Sequence, residues 1–219
     1  MRMGMRVLGL GAAAVLASVS VASAADLGGP PAPPYASYAP EFDWSGLYFG
    51  IQGGYDWNRA TTPPFAASET GVIAGFYGGY NFQFDPNWIV GFDASINWDN
   101  ARGGDPDVGV PNSAGPTWKG FVRGRAGYVV DNFLFYATGG AAVMSYSAVV
   151  SGVGSGNATP WGWTAGLGVE MALSENWIGR IDYAYQDFGT FTLGGAAPVG
   201  GTPVSLTAST LMVGIARKF

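Results

Sequence analysis

The segment Trp88–Asp99 restricts the fold more than any other part of this chain. Its residues alternate, with Trp, Val, Phe, Ala, Ile and Trp on one face and mainly Gly, Asp, Ser and Asn on the other. A period of two places alternate side chains on opposite faces of a β-strand. A strand that crosses a bilayer needs about 9–11 residues, with aromatic side chains where its lipid-facing side meets the two interfaces. Because the apolar face begins at Trp88 and ends at Trp98, the segment predicts a transmembrane β-strand.

The same alternation recurs in seven further segments of the chain. They are Ser45–Trp57, Thr70–Gln83, Thr117–Val130, Phe133–Tyr146, Trp161–Leu173, Trp177–Gln186 and Leu206–Phe219. In Phe133–Tyr146 the small residues Ala and Gly fall on both faces, so the pattern does not assign the faces of that strand. An even number of strands is typical of bacterial outer-membrane barrels.

The connections between the predicted strands alternate in length, which is a second property of such barrels. Three are short, around Asp85–Asn87, Asp131–Asn132 and Ser174–Asn176, and four are long, at Asn58–Glu69, Asn100–Pro116, Ser147–Pro160 and Phe188–Ser205. We therefore predict an all-β fold, an eight-stranded antiparallel up-and-down transmembrane β-barrel. Short turns normally face the periplasm and long loops the outside, so both termini should lie on the periplasmic side.

The N-terminal segment Met1–Ala24 has the parts of a secretory signal peptide. Arg2 and Arg6 form a positive region, Val7–Val19 a short apolar core, and Ala22-Ser23-Ala24 a small-residue cleavage site. The following stretch is rich in proline and cannot form a regular hydrogen-bonded ladder. We therefore predict a cleaved signal peptide, a Pro-rich periplasmic tether and a barrel domain, at 1–24, 25–43 and 44–219.

The composition indicates which face of the strands points outward. Charged residues make up only 11% of the chain. A soluble barrel with the aromatic face inside would expose a surface of Gly, Ser, Thr and Asn that is too poor in charge, and its bulky side chains would overfill an eight-stranded interior. We therefore expect the aromatic face to contact lipid. A girdle of tryptophans at the membrane interfaces follows from this: Trp57, Trp88, Trp98, Trp118, Trp161, Trp163 and Trp177.

The inward face then carries charges of both signs. They are Asp56, Asp93, Lys119, Arg123, Arg125, Glu170, Arg180 and Asp182. These groups could line an ion-conducting path, or they could pair with one another and close the lumen. The interior of an eight-stranded barrel is just wide enough to be filled by side chains, which favours the closed network. We expect Arg123 and Arg125 to face Asp93 on the neighbouring strand.

The residue types that are missing exclude several classes of function. The chain has no His and no Cys, so it lacks the usual general base, the commonest metal ligand and any thiolate nucleophile. We predict no catalytic residues, no cofactor and no metal site. The formal net charge of −5 argues against nucleic acid as a partner.

Five short stretches resemble a known family. They are Ala22–Leu27, Trp44–Gly50, Gly75–Asn81, Leu134–Gly140 and Val213–Phe219. The chain resembles the small outer-membrane β-barrels called porin-family or outer-membrane immunogenic proteins, which are similar in shape to OmpA-like transmembrane barrels. The resemblance implies a location in the bacterial outer membrane and a structural or surface role rather than an enzymatic one. It also implies that Phe219, at the end of an amphipathic last strand, acts as the signal that barrel-assembly machinery reads.

These observations lead to one expected function and two alternatives. We expect a structural, surface-exposed outer-membrane barrel that contributes to envelope integrity and whose lumen is filled by side chains. One alternative is a narrow porin that passes small solutes or ions. The other is a surface adhesin that acts through its long outer loops, chiefly Asn100–Pro116 and Phe188–Ser205. The expected partners are outer-membrane lipid, the assembly machinery and, for the adhesin, a host or surface ligand at those loops.

Overall fold

A computed structural model describes residues 42–62, 65–103, 112–150, 154–195 and 200–219. The predicted signal peptide and all but the last two residues of the predicted tether lie outside the described residues. Within the described ranges, no helix is both long enough and apolar enough to cross a membrane.

The described chain is built from β-strands alone. In chain order they are β1 (Gly46–Thr62), β2 (Phe65–Asp85), β3 (Trp88–Asp99), β4 (Asn112–Val130), β5 (Phe133–Val150), β6 (Gly154–Ala158), β7 (Trp161–Ser174), β8 (Trp177–Thr192), β9 (Gly194–Gly195) and β10 (Pro203–Lys218). Eight of these are long. The other two are short additions: β6 pairs with β5, and β9 pairs with β6.

The eight long strands close into a barrel in which sequence neighbours are also spatial neighbours. Each pairs antiparallel with the next in the order β1, β2, β3, β4, β5, β7, β8 and β10. The last strand, β10, returns to pair with β1, for example at Tyr55 and Leu211. The predicted eight-stranded antiparallel up-and-down barrel is therefore confirmed.

Alternation along each strand separates a lipid-facing surface from a buried interior. On β4, Lys119 and Arg123 are buried while Val122 between them is 65% exposed. The strand whose faces the sequence left open, β5, follows the same rule, with Leu134 and Tyr136 buried inside and Phe135 exposed outside. Large apolar side chains thus cover the outside of the barrel, as expected for contact with lipid.

The long connections differ from the prediction. The stretch Asn58–Glu69 is mostly strand, because β1 and β2 stay paired as far as Thr62 and Phe65. In Ser147–Pro160, β5 continues to Val150 and pairs with β6. The prediction of long loops is wrong for these stretches, because the antiparallel ladder stays in register and the alternation of buried and exposed side chains continues with it, as at Asn58, Arg59, Ser68 and Glu69. Residues 104–111 of the Asn100–Pro116 connection lie outside the described residues.

The two ends of the barrel differ, and we call them the short-turn end and the hairpin end. The short-turn end carries the turns at Pro86–Asn87, Asp131–Asn132 and Glu175–Asn176. Both Trp44 and Phe219 lie there, since the Phe219 backbone N–H donates to the Leu47 carbonyl at 2.9 Å. The hairpin end carries the extended β1–β2, β5–β6 and β8–β10 connections.

A surface ion pair also marks the short-turn end. Lys218 Nζ lies 3.6 Å from Asp43 Oδ2. Partial burial acts to raise the pKa of Asp43, but the Ser45 backbone N–H and the Lys218 ammonium outweigh it and hold that pKa below its usual value. Because both side chains are partly exposed, the pair contributes little to stability.

Apolar side chains fill the interior at both ends. The cluster at the short-turn end is Trp44, Ile89, Val129, Leu134, Tyr136 and Ile178. The larger cluster at the hairpin end includes Ile73, Phe121, Met144, Tyr146, Leu206 and Met212. The charged side chains of the interior lie among and between these two apolar clusters.

Candidate functional site

The inward charges named from the sequence all lie inside the barrel. Each of the eight residues is at most 4% exposed, and they come from β1, β3, β4, β7 and β8. Together with Asn58, Glu69, Asp99 and Tyr146 they form two groups. The central network comprises Asp93, Arg123, Arg125, Glu170, Arg180 and Asp182, and the lysine cluster comprises Asp56, Asn58, Glu69, Asp99, Lys119 and Tyr146.

Arg123 is the centre of the central network. Its Nε and one terminal nitrogen donate to the two Asp93 oxygens at 2.9 and 2.8 Å, a bidentate pair between adjacent strands. Its other terminal nitrogen donates to Asp182 Oδ1 at 3.0 Å. Arg123 and Asp93 are direct cross-strand partners in the register of β3 and β4, which is why this pair can be expected from sequence.

Arg180 connects opposite sides of the barrel. It belongs to β8, which is four strands from β3 in either direction around the closed sheet. One of its terminal nitrogens lies 3.3 Å from Asp93 Oδ2, and the other lies 3.7 Å from Asp182 Oδ2. Its guanidinium carbon lies 4.0 Å from the centre of the Tyr77 ring, a cation–π distance. The contact with Asp93 therefore crosses the full width of the lumen.

Arg125 has different partners from those expected. Its two terminal nitrogens lie 3.0 and 2.9 Å from the Glu170 oxygens, and one of them also donates to the Tyr48 hydroxyl at 2.8 Å. The expectation that Arg125 faces Asp93 does not hold, because Arg125 is opposite Gly91 in the register and reaches across the lumen towards β7 instead.

Tyr136 joins the Arg125–Glu170 pair to the rest of the central network. The Arg125 guanidinium carbon lies 4.0 Å from the centre of the Tyr136 ring. The hydroxyl of the same tyrosine donates to Asp182 Oδ2 at 2.8 Å. An aromatic side chain with a polar tip can serve both contacts when it is buried.

Lys119 is the centre of the lysine cluster. Its ammonium donates to both Asp56 oxygens and to Asn58 Oδ1, each at 2.8 Å. It also lies 3.3 Å from Asp99 Oδ2. The Asn58 amide in turn donates to the Asp56 carboxylate. Lys119 and Asp56 belong to strands three apart in the barrel, so this contact also crosses the interior.

A second contact across the lumen lies in the same cluster. The Tyr146 hydroxyl donates to Glu69 Oε1, which links β5 to β2. Both side chains are buried, and Glu69 interacts electrostatically with Lys119, Asp56 and Asp99. The cluster thus combines three carboxylates with one ammonium. Among the described residues, however, no group of His, Cys, Asp or Glu side chains is arranged to hold a metal ion.

Sequence reasoning missed several members of these groups. Asn58 and Glu69 fall in a stretch expected to be a loop, where side-chain direction is not defined. The alternation of the sequence did indicate their direction. Asn58 continues the inward-facing series of Gln52 and Asp56, and Glu69 lies on the same strand face as the buried Ile73. The tyrosines Tyr48, Tyr77, Tyr136 and Tyr146 were also missed as members, because a tyrosine carries no charge that would mark it as part of an ion-pair network.

The predicted tryptophan girdle lies on the outside of the barrel. Six of the seven side chains are between 41% and 70% exposed, and Trp118 is half-buried. Trp88 and Trp177 lie at the short-turn end and the others towards the hairpin end. Trp98 and Trp118 are cross-strand partners. Phe219, the predicted assembly signal, is 67% exposed on the outer surface.

Comparison with known proteins identifies relatives of the same kind. The family model for the outer membrane protein beta-barrel domain matches residues 11–219. A 25 kDa outer-membrane immunogenic protein of Brucella abortus is 31% identical over 198 residues, which cover 87% of this chain and 86% of that protein. A 22 kDa outer membrane protein of Rhizobium leguminosarum is 33% identical over 155 residues, covering 70% and 68% of the two chains.

Solved structures show the same fold. The crystal structure of Neisserial surface protein A aligns with a TM-score of 0.53 at 16% identity, covering 80% of this chain and 98% of that one. The likeness extends to the barrel architecture alone, given the low identity. Because the family model spans nearly the whole sequence, the chain belongs to the outer membrane protein beta-barrel domain family, and the predicted location in the bacterial outer membrane is confirmed.

Proposed function

We propose that this protein is a structural outer-membrane barrel that contributes to envelope integrity and has a lumen closed by its own side chains. The observation that carries the proposal is the contact between Arg180 and Asp93, which joins strands on opposite sides of the barrel at 3.3 Å. Arg123 adds bonds to Asp93 and to Asp182 from a third strand. Side chains that meet in this way brace the wall from within.

The energetics of buried charge favour a closed lumen over a conducting one. Breaking a buried ion pair by removing one partner costs about 3–5 kcal/mol, because the other charge remains buried and unpaired. Opening a path through the central network would separate several pairs at once. The narrow porin is therefore the less favoured candidate, and it would require these side chains to rearrange together.

The absence of an enzymatic role belongs to the same proposal. The chain lacks His and Cys, and its buried carboxylates are engaged with arginine, lysine or tyrosine side chains. A general acid or base must reach its substrate. Carboxylates enclosed in the interior do not meet that requirement, which supports a structural role.

The hairpin end supports a second role at the cell surface. The β1–β2 and β5–β6 hairpins continue beyond the girdle tryptophans Trp57 and Trp161. Two of the Brucella relatives are named outer-membrane immunogenic proteins of 25 and 31 kDa. We propose surface exposure of the hairpins on these grounds, with adhesion to a host or surface ligand as the second candidate function.

A deletion strain would test the structural role. Loss of the protein should increase the sensitivity of the cells to detergent and the entry of a hydrophobic dye, and the wild-type gene should restore both. A protein shortened in Asn100–Pro116 and Phe188–Ser205 should restore them equally well if it folds, as checked by heat-modifiable gel mobility. Unchanged dye entry in the deletion strain would contradict the proposal.

The same strains separate the alternatives. Slower uptake of small hydrophilic solutes in the deletion strain, with normal resistance to detergent, would favour the porin. Loss of attachment to host cells or surfaces by the shortened protein, with the envelope restored, would favour the adhesin.

A further inference from the structure

An arginine lies on the lipid-facing side of the barrel just beyond the tryptophan girdle of the hairpin end. Arg59 is exposed and is two residues farther along β1 than Trp57, or about 6–7 Å at the usual rise per residue. The headgroup region of a bilayer extends about 5–7 Å beyond each side of the hydrocarbon core. With Trp57 at the interface, the guanidinium of Arg59 lies at the level of lipid headgroups.

Hydroxyl groups surround Arg59 on both neighbouring strands. In the register of the sheet, Ser68 on β2 and Thr207 on β10 are its direct partners. Thr70 and Ser209 are the partners of Trp57 one step nearer the membrane centre. Together these side chains line an outward groove of about 290 Å³. The groove therefore presents a cation and several hydroxyl donors beside an aromatic ring.

A second arginine lies on the other side of the same segment of β2. Arg102 is exposed and forms an isolated bridge with Thr70, so Arg59 and Arg102 flank the Ser68–Thr70 stretch. One terminal nitrogen of Arg102 donates to the carbonyls of Ala101 and Pro116 at 2.7 and 2.5 Å, which holds the side chain in place.

No carboxylate neutralises this patch within the part of the chain that the structure describes. Neither Arg59 nor Arg102 forms an ion pair with a described residue. The acidic residues of β1, β2 and β10 are Asp56 and Glu69, which point inward, and Asp85, which lies at the opposite end. Asp187 on β8 faces Thr207 and accepts a bond from the Gly189 backbone N–H at 2.8 Å. The charge of the groove is thus positive on the side of β1 and β2.

We propose that Arg59, with Ser68, Thr70 and Thr207 around it and Arg102 beyond β2, binds the phosphate of a lipid headgroup. Arginine binds phosphate through a planar fork of donors, and hydroxyl groups supply further donors. The apolar side chains of β1 and β2 below the groove, including Trp57 and Val72, contact the acyl chains of the same lipid. With the short turns in the periplasm, as the sequence predicts, the site faces the outer leaflet, and its ligand is a phosphorylated glycolipid.

The test compares lipids that differ only in phosphate. The refolded protein is placed in phosphatidylcholine vesicles that contain either lipid A or lipid A from which the phosphates have been removed, and native mass spectrometry counts the glycolipid that stays bound. Vesicles offer the lipid in both leaflets, so the result does not depend on the orientation of the barrel. The wild type should retain lipid A in preference to the dephosphorylated form, and equal retention would overturn the proposal.

Variants locate the site. Arg59→Gln should reduce retained lipid A about tenfold, the effect of losing one charge-assisted contact, and Arg59→Lys should reduce it less. Arg217→Gln is the matched control, because Arg217 is also an exposed arginine on the outer surface but lies at the short-turn end. Equal losses for Arg59→Gln and Arg217→Gln would overturn the assignment of the site.

Inorganic phosphate distinguishes a lipid from a free ion. Added to lipid-A-free vesicles, it should bind neither the wild type nor Arg59→Gln to a measurable extent, since it lacks the acyl chains that hold the headgroup at the groove. Binding of inorganic phosphate as tight as that of lipid A would contradict a lipid ligand. Because Arg59 is exposed, each variant should keep the heat-modifiable gel mobility of the folded barrel.

Discussion

The central network and the lysine cluster hold buried charge in different ways. The central network has three arginines and three carboxylates, whereas the lysine cluster has one ammonium for the three carboxylates of Asp56, Glu69 and Asp99. In the first, Asp93 and Asp182 each contact two arginines. In the second, Asp56 and Asp99 both depend on Lys119. The pairing of Asp93 and Asp182 in the central network is therefore redundant, whereas the lysine cluster depends on a single cation.

This difference has a consequence for stability. Asp93 and Asp182 share Arg123 and Arg180, so the loss of either arginine leaves both carboxylates in contact with the other one. In a cluster centred on one cation, the loss of that cation leaves buried carboxylates with neutral donors only. Four experiments test this contrast, and their expected effects decrease from the first to the last.

Lys119→Met should be the most destabilising. It leaves Asp56 and Asp99 without a cation, so we expect a loss of about 5 kcal/mol, the upper end of the range for breaking a buried pair. The measurement is the free energy of unfolding of the refolded barrel in urea. Adding Asp56→Asn and Asp99→Asn to the same protein should recover part of the loss. A triple variant no more stable than Lys119→Met would contradict the role of Lys119 as a counter-ion.

Arg123→Met should cost less, about 3 kcal/mol, because Asp93 and Asp182 both keep their contacts with Arg180. Thermal unfolding followed by gel mobility gives the comparison. Val122→Ala, on the lipid-facing side of the same strand, is the control and should change stability by no more than about 1 kcal/mol. An unchanged melting temperature for Arg123→Met would show that the central network does not stabilise the barrel.

Two double-mutant cycles on Asp93 should differ. The cycle with Arg123 reports a bidentate pair at 2.8 and 2.9 Å, and the cycle with Arg180 reports one contact at 3.3 Å. We expect coupling energies of about 2–3 and about 1 kcal/mol, measured with Arg123→Met, Arg180→Met and Asp93→Asn. A larger coupling for Arg180 would mean that the contact across the lumen, rather than the cross-strand pair, holds Asp93.

Gln52→Met should have the smallest effect. Gln52 lies on β1 between Tyr48 of the central region and Asp56 of the lysine cluster, and its amide donates to Asn97 Oδ1 at 2.7 Å. Loss of one neutral buried hydrogen bond is expected to cost about 1 kcal/mol in urea unfolding. A cost equal to that of Arg123→Met would place Gln52 among the essential links between the two groups.

Much of the fold could be predicted because lipid imposes a simple rule on each strand. In β3, every even-numbered residue from Trp88 to Trp98 is exposed, in agreement with the alternation in the sequence. The number of strands in the closed barrel could be predicted by counting the eight segments with this alternation. In β5 the alternation did not show which face contacts lipid, because Ala137, Gly139 and Ala141 on the outside are no larger than Ala142 inside.

The contacts within the lumen could be predicted only in part. Arg123 and Asp93 are direct cross-strand partners on strands that follow one another in the chain, so the inward face of each strand suffices to suggest the pair. The partners of Arg125 and Lys119 lie two or three strands away, at Glu170 and Asp56, and depend on how the closed sheet is staggered. That stagger is a property of the whole barrel and is not encoded in any single segment.

Single-channel recording is the most direct test of a lumen closed by side chains. The refolded protein is inserted into a planar bilayer, with heat-modifiable gel mobility as the check that the barrel has folded. Because Arg180 and Asp93 meet across the full width of the interior, we predict no steady openings from the wild type. Reproducible conductance from a folded sample would contradict the account and would require a continuous path past Arg123, Arg125 and Glu170.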